Sequence, residues 1–455
     1  MTLLSSLLAG QSGMRAANAR LAGAAHNVAN ASTPGFRRRS AALVTSPAIR
    51  LGGSVRGTGV ADRGYVRAGN DIVSSRRVTQ AGLSSGASSS SRALSTLETF
   101  ASNEGASNLN TRLDAFWDAA TATTGDPNDV ALRRQMLSSG ADFGRAMSGL
   151  VERLREGMTA VKDELRGVAL EVTRKFAEVA ELDAVIMEAG GRLASGDALD
   201  MRDHLVYEIS ELMGLDYKIA ENQTAELYLG GHVVSANGRS RSLDFEQDPT
   251  TGEVSLFLSS GDGRVNVTDT LGGAMGGYIG ALDQGEEWIS ELDTVASNFA
   301  DTMNAQHALG FDSTGTAGGD LFTYDATDPA GSLSIAIDDP NALALASQVS
   351  ANAGDAGNLD ALRGLEDQIS VGTRTTRQAL SDWGSGMGGV VASAASQSQQ
   401  QSFIQQDLEE LHASMVGVSL DEEAALMIEA QTAYQANAKV IKATDQMFAV
   451  MLDLV

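Results

Sequence analysis

The chain has 455 residues, no cysteine and a formal net charge of −25. That charge excludes nucleic acid or an anionic membrane as a partner of the whole chain, and the missing thiols exclude disulfides, thiolate nucleophiles and cysteine-ligated metals. With aromatics at 5%, 49 glycines and only 6 prolines, the composition favours long helices in about two to four domains over a dense, enzyme-like core.

Leu7, Met14, Leu21 and Val28 stand seven residues apart near the start, with Leu3, Gly10, Ala17 and Ala24 between them. Alternating large and small residues on one stripe predict a helix that packs closely on another. The opening MTLLSSLLAGQSG has no charged n-region, and serines break its apolar run. It makes a poor secretory signal, and no stretch is long enough to span a bilayer. Cytoplasmic residence and export by a signal-independent machine both stay open. Asn30, Ser32, Thr33, Pro34 and Gly35 end the helix, since proline cannot continue it. Beside this end, His26 is expected to cap or pack. Residues 40–66 hold short apolar runs between glycines, which predicts an extended, hairpin-like linker.

Helical patterning resumes over about Asp71–Thr123, with the serine-rich Ser84–Ser91 as a weak, solvent-exposed stretch. After the GDPN turn, Met147, Val151, Leu154, Met158, Val161, Leu165, Val168 and Val172 keep four-three spacing. A helix from Asp129 to Glu188 would be about 90 Å long. Gly190–Gly191 breaks it, and a short helix covers Asp200–Met213. Between Tyr217 and Asp269, alternating runs are punctuated by glycine-bearing turns such as Asn237–Gly238, which predicts a meander of short strands. Helix returns near Gly285 with the stripe Trp288, Leu292, Val295, Phe299 and Met303. Residues 311–345 read as loop with Ser332–Ile337 as the best strand, and Leu359–Leu411 as helix interrupted at Gly384–Gly389.

The last 37 residues carry the strongest pattern. From Leu420, steps of four and three give Ala424, Met427, Gln431, Tyr434, Ala438, Ile441, Asp445, Phe448, Leu452 and Val455, eight of the ten apolar. Ser419 and Glu422 have capping-box spacing. Residues 1–80 hold eleven arginines and two acids; residues 403–455 hold nine acids and two lysines. Opposite charge on two narrow apolar faces predicts that the two ends of the chain pair. The expected fold is mainly α with inserted β: a long antiparallel helix bundle or coiled coil pairing the terminal segments, plus a small β-rich domain. Its parts are 1–66 with 403–455 as terminal core, 67–216 with 270–402 as a rod-like bundle with short strands near 311–345, and 217–269 as the β insertion, placed at the far end.

No catalytic constellation emerges, so no enzyme, metal or cofactor is expected. His26, His204, His232, His307 and His412 are scattered, without metal-ligand spacing. Gly57–Asp62 lacks the third glycine of a dinucleotide fingerprint, and Leu271–Gly277 lacks the lysine of a phosphate loop. Asp312, Thr314, Thr316 and Asp320 depart from the calcium-loop order. Asp421, Glu422 and Glu423 suit the positive end of a helix dipole. In so acidic a chain, Arg37–Arg39 is expected to meet an acidic protein neighbour rather than phosphates.

NVANASTPGF at Asn27–Phe36 resembles the N-terminal motif shared by bacterial flagellar rod, hook and hook-associated proteins, and AYQANAKVIKATDQMFAVML at Ala433–Leu452 resembles their C-terminal motif. LDEE at Leu420–Glu423, MRDHLVYEISELMGLDY at Met201–Tyr217 and NAQHALGFDSTGTAGGDLF at Asn304–Phe322 are similar to the hook-associated protein 1 family within that group. The resemblance implies a structural subunit of the hook–filament junction, with terminal helices lining a tube, middle helices forming its wall and the β domain projecting outward. It implies export through the flagellar type III channel without a cleaved signal, to an extracellular position on the flagellum. The implied partners are other copies, the hook protein, hook-associated protein 3, and a cytoplasmic chaperone on the C-terminal helix. Expected assembly residues are Leu7, Met14, Leu21, Val28, Asn30, Pro34, Gly35, Phe36, Met427, Tyr434, Ala438, Ile441, Phe448 and Leu452; expected chaperone contacts are Leu420, Met427, Tyr434, Ile441 and Phe448. Neither nucleic acid nor membrane insertion is expected. The alternatives are another axial protein (hook, distal rod or hook-associated protein 3) and a flagellum-associated hydrolase.

Overall fold

The computed structural model describes residues 3–51, 54–102, 106–191, 195–249, 251–261, 263–349, 354–368 and 370–453. Helix α1 (Leu3–Ala29) leads into a linker in which β1 (Arg39–Thr45) pairs antiparallel with β4 (Val60–Arg67), and β2 (Ile49–Leu51) pairs with β3 (Ser54–Arg56) at the tip. Helices α2 (Asp71–Ser102), α3 (Ala106–Gly125), α4 (Val130–Glu188) and α5 (Gly196–Met213) follow. β5 (Asp216–Ile219), β6 (Ala225–Leu229), β7 (His232–Ala236) and β8 (Arg239–Ser240) form one antiparallel sheet. β9 (Ser242–Gln247), β10 (Val254–Ser260) and β11 (Gly263–Asn266) form a second. After α6 (Gly273–His307), β12 (Phe322–Thr323) pairs with β13 (Ser334–Ile335) around the one-turn α7 (Pro329–Ser332). The chain closes with α8 (Gly357–Arg363), α9 (Thr376–Val416) and α10 (Leu420–Asp453).

The 59-residue α4 is the spine. Asp129 caps it, its carboxylate accepting the Ala131 N–H at 2.7 Å. Met147, Val151, Leu154, Met158, Val161, Leu165 and Val172 are all buried, so four-three spacing translates into one continuous packed stripe. At its N-terminal half Phe116, Trp117, Phe143, Phe299 and Phe322 meet edge to face at 5.0–6.4 Å. Trp383 of α9 donates its indole N–H to the Trp288 carbonyl at 3.0 Å, fastening α9 to α6.

Several local expectations are corrected. The serine-rich stretch of α2 is not exposed: Ser89 is fully buried, and Gly82 and Gly86 lie where α2 crosses α5 and the start of α6. A Cβ on Gly86 would fall 2.9 Å from the Gly273 carbonyl, and one on Gly277 would overlap the Gly86 carbonyl. The small residues that weaken local helix propensity permit that close approach, which also explains why α6 begins at Gly273, twelve residues before the expected start. Gly384–Gly389 does not interrupt α9, because Trp383 and Met387 anchor that turn in the core. The expected strand at Ser332–Ile337 shrinks to Ser334–Ile335, since Pro329–Ser332 takes a helical turn.

The β insertion does not occupy the far end. It lies along the C-terminal half of α4, where Thr173 Oγ1 donates to the Leu243 carbonyl at 3.1 Å and Asp183 accepts the Ala225 N–H at 3.1 Å. That places it beside the root of the terminal segments. The other end of α4 is capped instead by the loop after α6, held by Arg133, which donates to the Pro127, Pro340 and Leu343 carbonyls. Among the described residues, none of α1 or α10 belongs to the main apolar core.

Candidate assembly interface

α1 and α10 run antiparallel, with Gly10 and Gly13 opposite Ile441 and Asn437, and Arg20 3.4 Å from Glu429. On α1 the buried positions are Ser5, Gly10, Ala16, Ala17, Gly23, Ala24 and Asn27. The small half of the predicted stripe therefore faces inward, and the large half sits at its margin. A Cβ on Gly10 would fall 2.9 Å from Ile441 Cγ1, and one on Gly13 would overlap the Asn437 side chain. On α10 the seam runs through Glu423, Met427, Ala430, Asn437, Ile441, Thr444 and Phe448. It shares Met427, Ile441 and Phe448 with the predicted stripe. The other half moves one residue back, turning Gln431 and Asp445 to solvent and seating Ala430 and Thr444.

The expected assembly residues divide accordingly. Leu7, Met14, Leu21, Met427, Ala438, Ile441 and Phe448 are half-buried along the pair, while Val28 and Tyr434 are exposed, as is Leu420, expected only as a chaperone contact. The side chain of Leu452 lies outside the described residues. Asn30 donates to the His26 carbonyl at 3.0 Å, closing the helix end. Pro34 and Gly35 are exposed; Gly35, at φ 75°, lies close to His204. Phe36 packs 5.5 Å from the His26 ring, with the Arg39 guanidinium 5.1 Å from its centre.

Sequence reasoning missed what roots this pair to the body. Asn27 exchanges two 2.9 Å hydrogen bonds with the Arg39 backbone, which fixes β1 against α1. The three arginines that follow Phe36 then meet carboxylates of this same chain, not those of another molecule. Arg37 lies 3.1 Å from Asp203; Arg38 lies 2.6 Å from Glu423 and 3.1 Å from Glu422; Arg39 lies 2.6 Å from Asp197 and 2.9 Å from Asp200. Arg67 joins Asp200 and Asp203 at 2.6 and 2.7 Å. Asp197, Asp200 and Asp203 recur every three residues and so share one face of α5. The Arg39 hydrogen bond holds the Asp197 carboxyl below the usual range. At Asp203 desolvation pushes upward, but Arg202, Arg37 and Arg67 outweigh it and leave the carboxyl lowered. Only half of the expected capping box forms: Ser419 Oγ reaches the Glu422 N–H at a long 3.5 Å, and the Glu422 carboxylate turns to Arg38 instead.

What remains is an uncovered apolar surface. Of 28 exposed large apolar side chains among the described residues, 17 fall in residues 1–66 and 403–455. They include Phe403, Leu411 and Met415 on α9, and Ile428, Val440, Met447, Val450 and Met451 on α10; Ile428 is 66% exposed. Between the two terminal helices, Met14, Arg15, Leu21 and Tyr434 help line a groove of about 470 Å³. Such a concentration on the two terminal segments, most of it on α10 and the end of α9, is the signature of an association surface. Among the described residues no group of His, Asp and Glu is placed to hold a metal, and no helix is long and apolar enough to cross a membrane.

Comparison with known proteins gives a consistent family. Residues 94–322, just over half the chain, match the family model of the flagellar hook-associated protein FlgK helical domain. Residues 7–37 match the flagella basal body rod protein family, and residues 412–454 match the C-terminal family of flagellar basal body rod FlgEFG proteins. Flagellar hook-associated protein 1 of Bacillus subtilis is 26% identical, with 95% of each chain covered. The Salmonella typhimurium protein of the same name is 23% identical over 69% of this chain and 58% of its own. The flagellar hook junction protein FlgK from Burkholderia pseudomallei shares the fold with a TM-score of 0.66, at 13% identity, over 77% of this chain and all of that one.

Proposed function

The chain belongs to the FlgK family of flagellar hook-associated proteins, and on that premise we propose that it is a structural subunit of the hook–filament junction that assembles through α1 and α10. The observation that carries this reading is the apolar surface concentrated on terminal helices that lie outside the main core. Each buried Å² of that surface contributes about 25 cal/mol, so many modest contacts between copies sum to a stable tubular layer.

In this reading residues 1–66 with 403–455 form the assembly unit, 67–216 with 270–402 the wall, and 217–269 a side domain. Met14, Leu21, Tyr434 and Ile428 face neighbouring copies, while Gly10, Ile441 and Phe448 hold the pair itself together. The hook protein and hook-associated protein 3 are the partners on either side. The exposed α10 face, with Leu420 and Tyr434, is what a chaperone would cover before export to the flagellum.

Ile428→Asp tests this, because the side chain is exposed and its loss leaves the fold intact. Cells carrying it should make hooks that shed their filaments, while the purified variant keeps the parent's helical circular dichroism and melting temperature. Normal swimming by that strain would remove α10 from the interface.

A further inference from the structure

Where the linker, the start of α2, α5 and the β5–β6 hairpin meet, they enclose a cleft of about 530 Å³. Arg37, Arg67, Arg77 and Arg202 line it, against Asp71, Asp203 and Glu221. Three of these guanidiniums are engaged, since Arg37, Arg67 and Arg202 all converge on Asp203 at 3.1, 2.7 and 2.6 Å. Arg77 is not. Its guanidinium lies 4.2 Å from the centre of the Tyr207 ring, its Nε is buried without a partner, and no carboxylate among the described residues pairs with it. Glu409 and Glu211 act on it only through space; Glu409 Oε1 already accepts from the Tyr207 hydroxyl at 2.7 Å and from Gln405 at 2.9 Å. One turn earlier on the same face of α2, Ser74 is 7% exposed, lines the cleft and carries a buried Oγ with no hydrogen-bond partner.

A half-buried guanidinium and a buried hydroxyl without acceptors each cost free energy. The Arg77 guanidinium offers a planar fork, which matches an oxyanion taken two-pronged, and the Ser74 hydroxyl lies one helical turn away in the wall of the same cleft. We propose that this cleft is a carboxylate socket that receives an acidic side chain of a neighbouring copy of the chain. The proposal rests on the assembly reading. The chain carries −25 in net charge, so a neighbouring copy is rich in carboxylates that complement the cleft, which shares Arg37 and Arg67 with the root of the terminal pair. Within an assembly the effective concentration is high enough to fill a socket too weak to hold a free ion.

Calorimetric titration of the unassembled full chain with hexaglutamate at constant ionic strength tests the socket, with inorganic phosphate as a second probe. Saturable peptide binding is expected. It should weaken about ten-fold or more in Arg77→Gln, and remain unchanged in Arg76→Gln, whose side chain is exposed next door. Should Arg77→Gln melt early, Ser74→Ala keeps every charge and should still weaken binding about three-fold. Absence of saturation, or an equal loss in Arg76→Gln, overturns the proposal. Phosphate binding without peptide binding also overturns it, because the cleft then takes a free ion. The titration needs no assembly, so its failure leaves the junction reading standing, and normal swimming of Ile428→Asp would leave the socket standing.

Discussion

Arg38 is the residue whose removal should loosen the terminal pair without touching the spine. Its backbone N–H donates to the Val416 carbonyl at 2.9 Å, a bond that alanine keeps. Its side chain supplies the counter-charge of Glu423, which is 1% exposed and whose second oxygen has no partner. Stranding a fully buried carboxylate costs roughly 3–5 kcal/mol. About a third of Arg38 is exposed, so water already screens part of the pair, and the exposed Glu422 contact adds little. We expect Arg38→Ala to cost about 2 kcal/mol, or about thirty-fold in local opening. Amide hydrogen exchange reads this directly. Amides of 424–431 should exchange about thirty-fold faster while those of 147–176 hold their parent rates, and adding Glu423→Gln should restore most of the protection. Equal losses in both segments, or no change in α10, would refute the claim that this ion pair anchors the terminal helix.

Two further perturbations test the body of the molecule. Asp183 is fully buried, and desolvation raises its carboxyl to about 6 despite the Ala225 N–H and Arg202. A raised carboxyl favours the protonated folded state, so its stabilising contribution is complete below about pH 4 and lost as pH rises through about 6. Asp183→Asn should therefore stabilise the protein by about 3 kcal/mol at pH 7.5 and by nothing at pH 4 in denaturant melts; a loss at pH 7.5 would contradict this. Gly277→Ala improves helix propensity yet forces a Cβ onto the Gly86 carbonyl. We expect a net cost of about 1–3 kcal/mol in the main unfolding transition, and a stabilised variant would contradict the close α2–α6 crossing.

Periodicity made the long elements legible. The stripe Met147 to Val172 announced α4 and the GDPN turn at Gly125–Asn128 placed its start within one residue of the observed Val130, and the heptad of Leu7, Met14, Leu21 and Val28 announced a partner helix. It could not say which half of that heptad turns inward. Hydrophobicity favours the leucines, but the geometry of a close antiparallel pair favours Gly10, Ala17 and Ala24, and the α10 seam rotates to match. The same limit hid the α2–α6 crossing: Gly86 and Ser89 read as weak helix until Gly273 and Gly277 are seen against them. The arginine–aspartate root was unreadable for another reason. Arg37–Arg39 and Asp197–Asp203 lie about 160 residues apart, and only the fold brings the two runs together.

The central claim is that neighbouring copies cover α10 in the flagellum. The chain has no cysteine, so Ile428→Cys introduces a single thiol at an exposed position of that helix. Its labelling rate is to be measured in the free chain and in isolated hook–filament junctions, each normalised to the labelling of the unfolded sample. Labelling is expected to be fast in the free chain and at least about hundred-fold slower in the junction. Equal rates in the two states would contradict it.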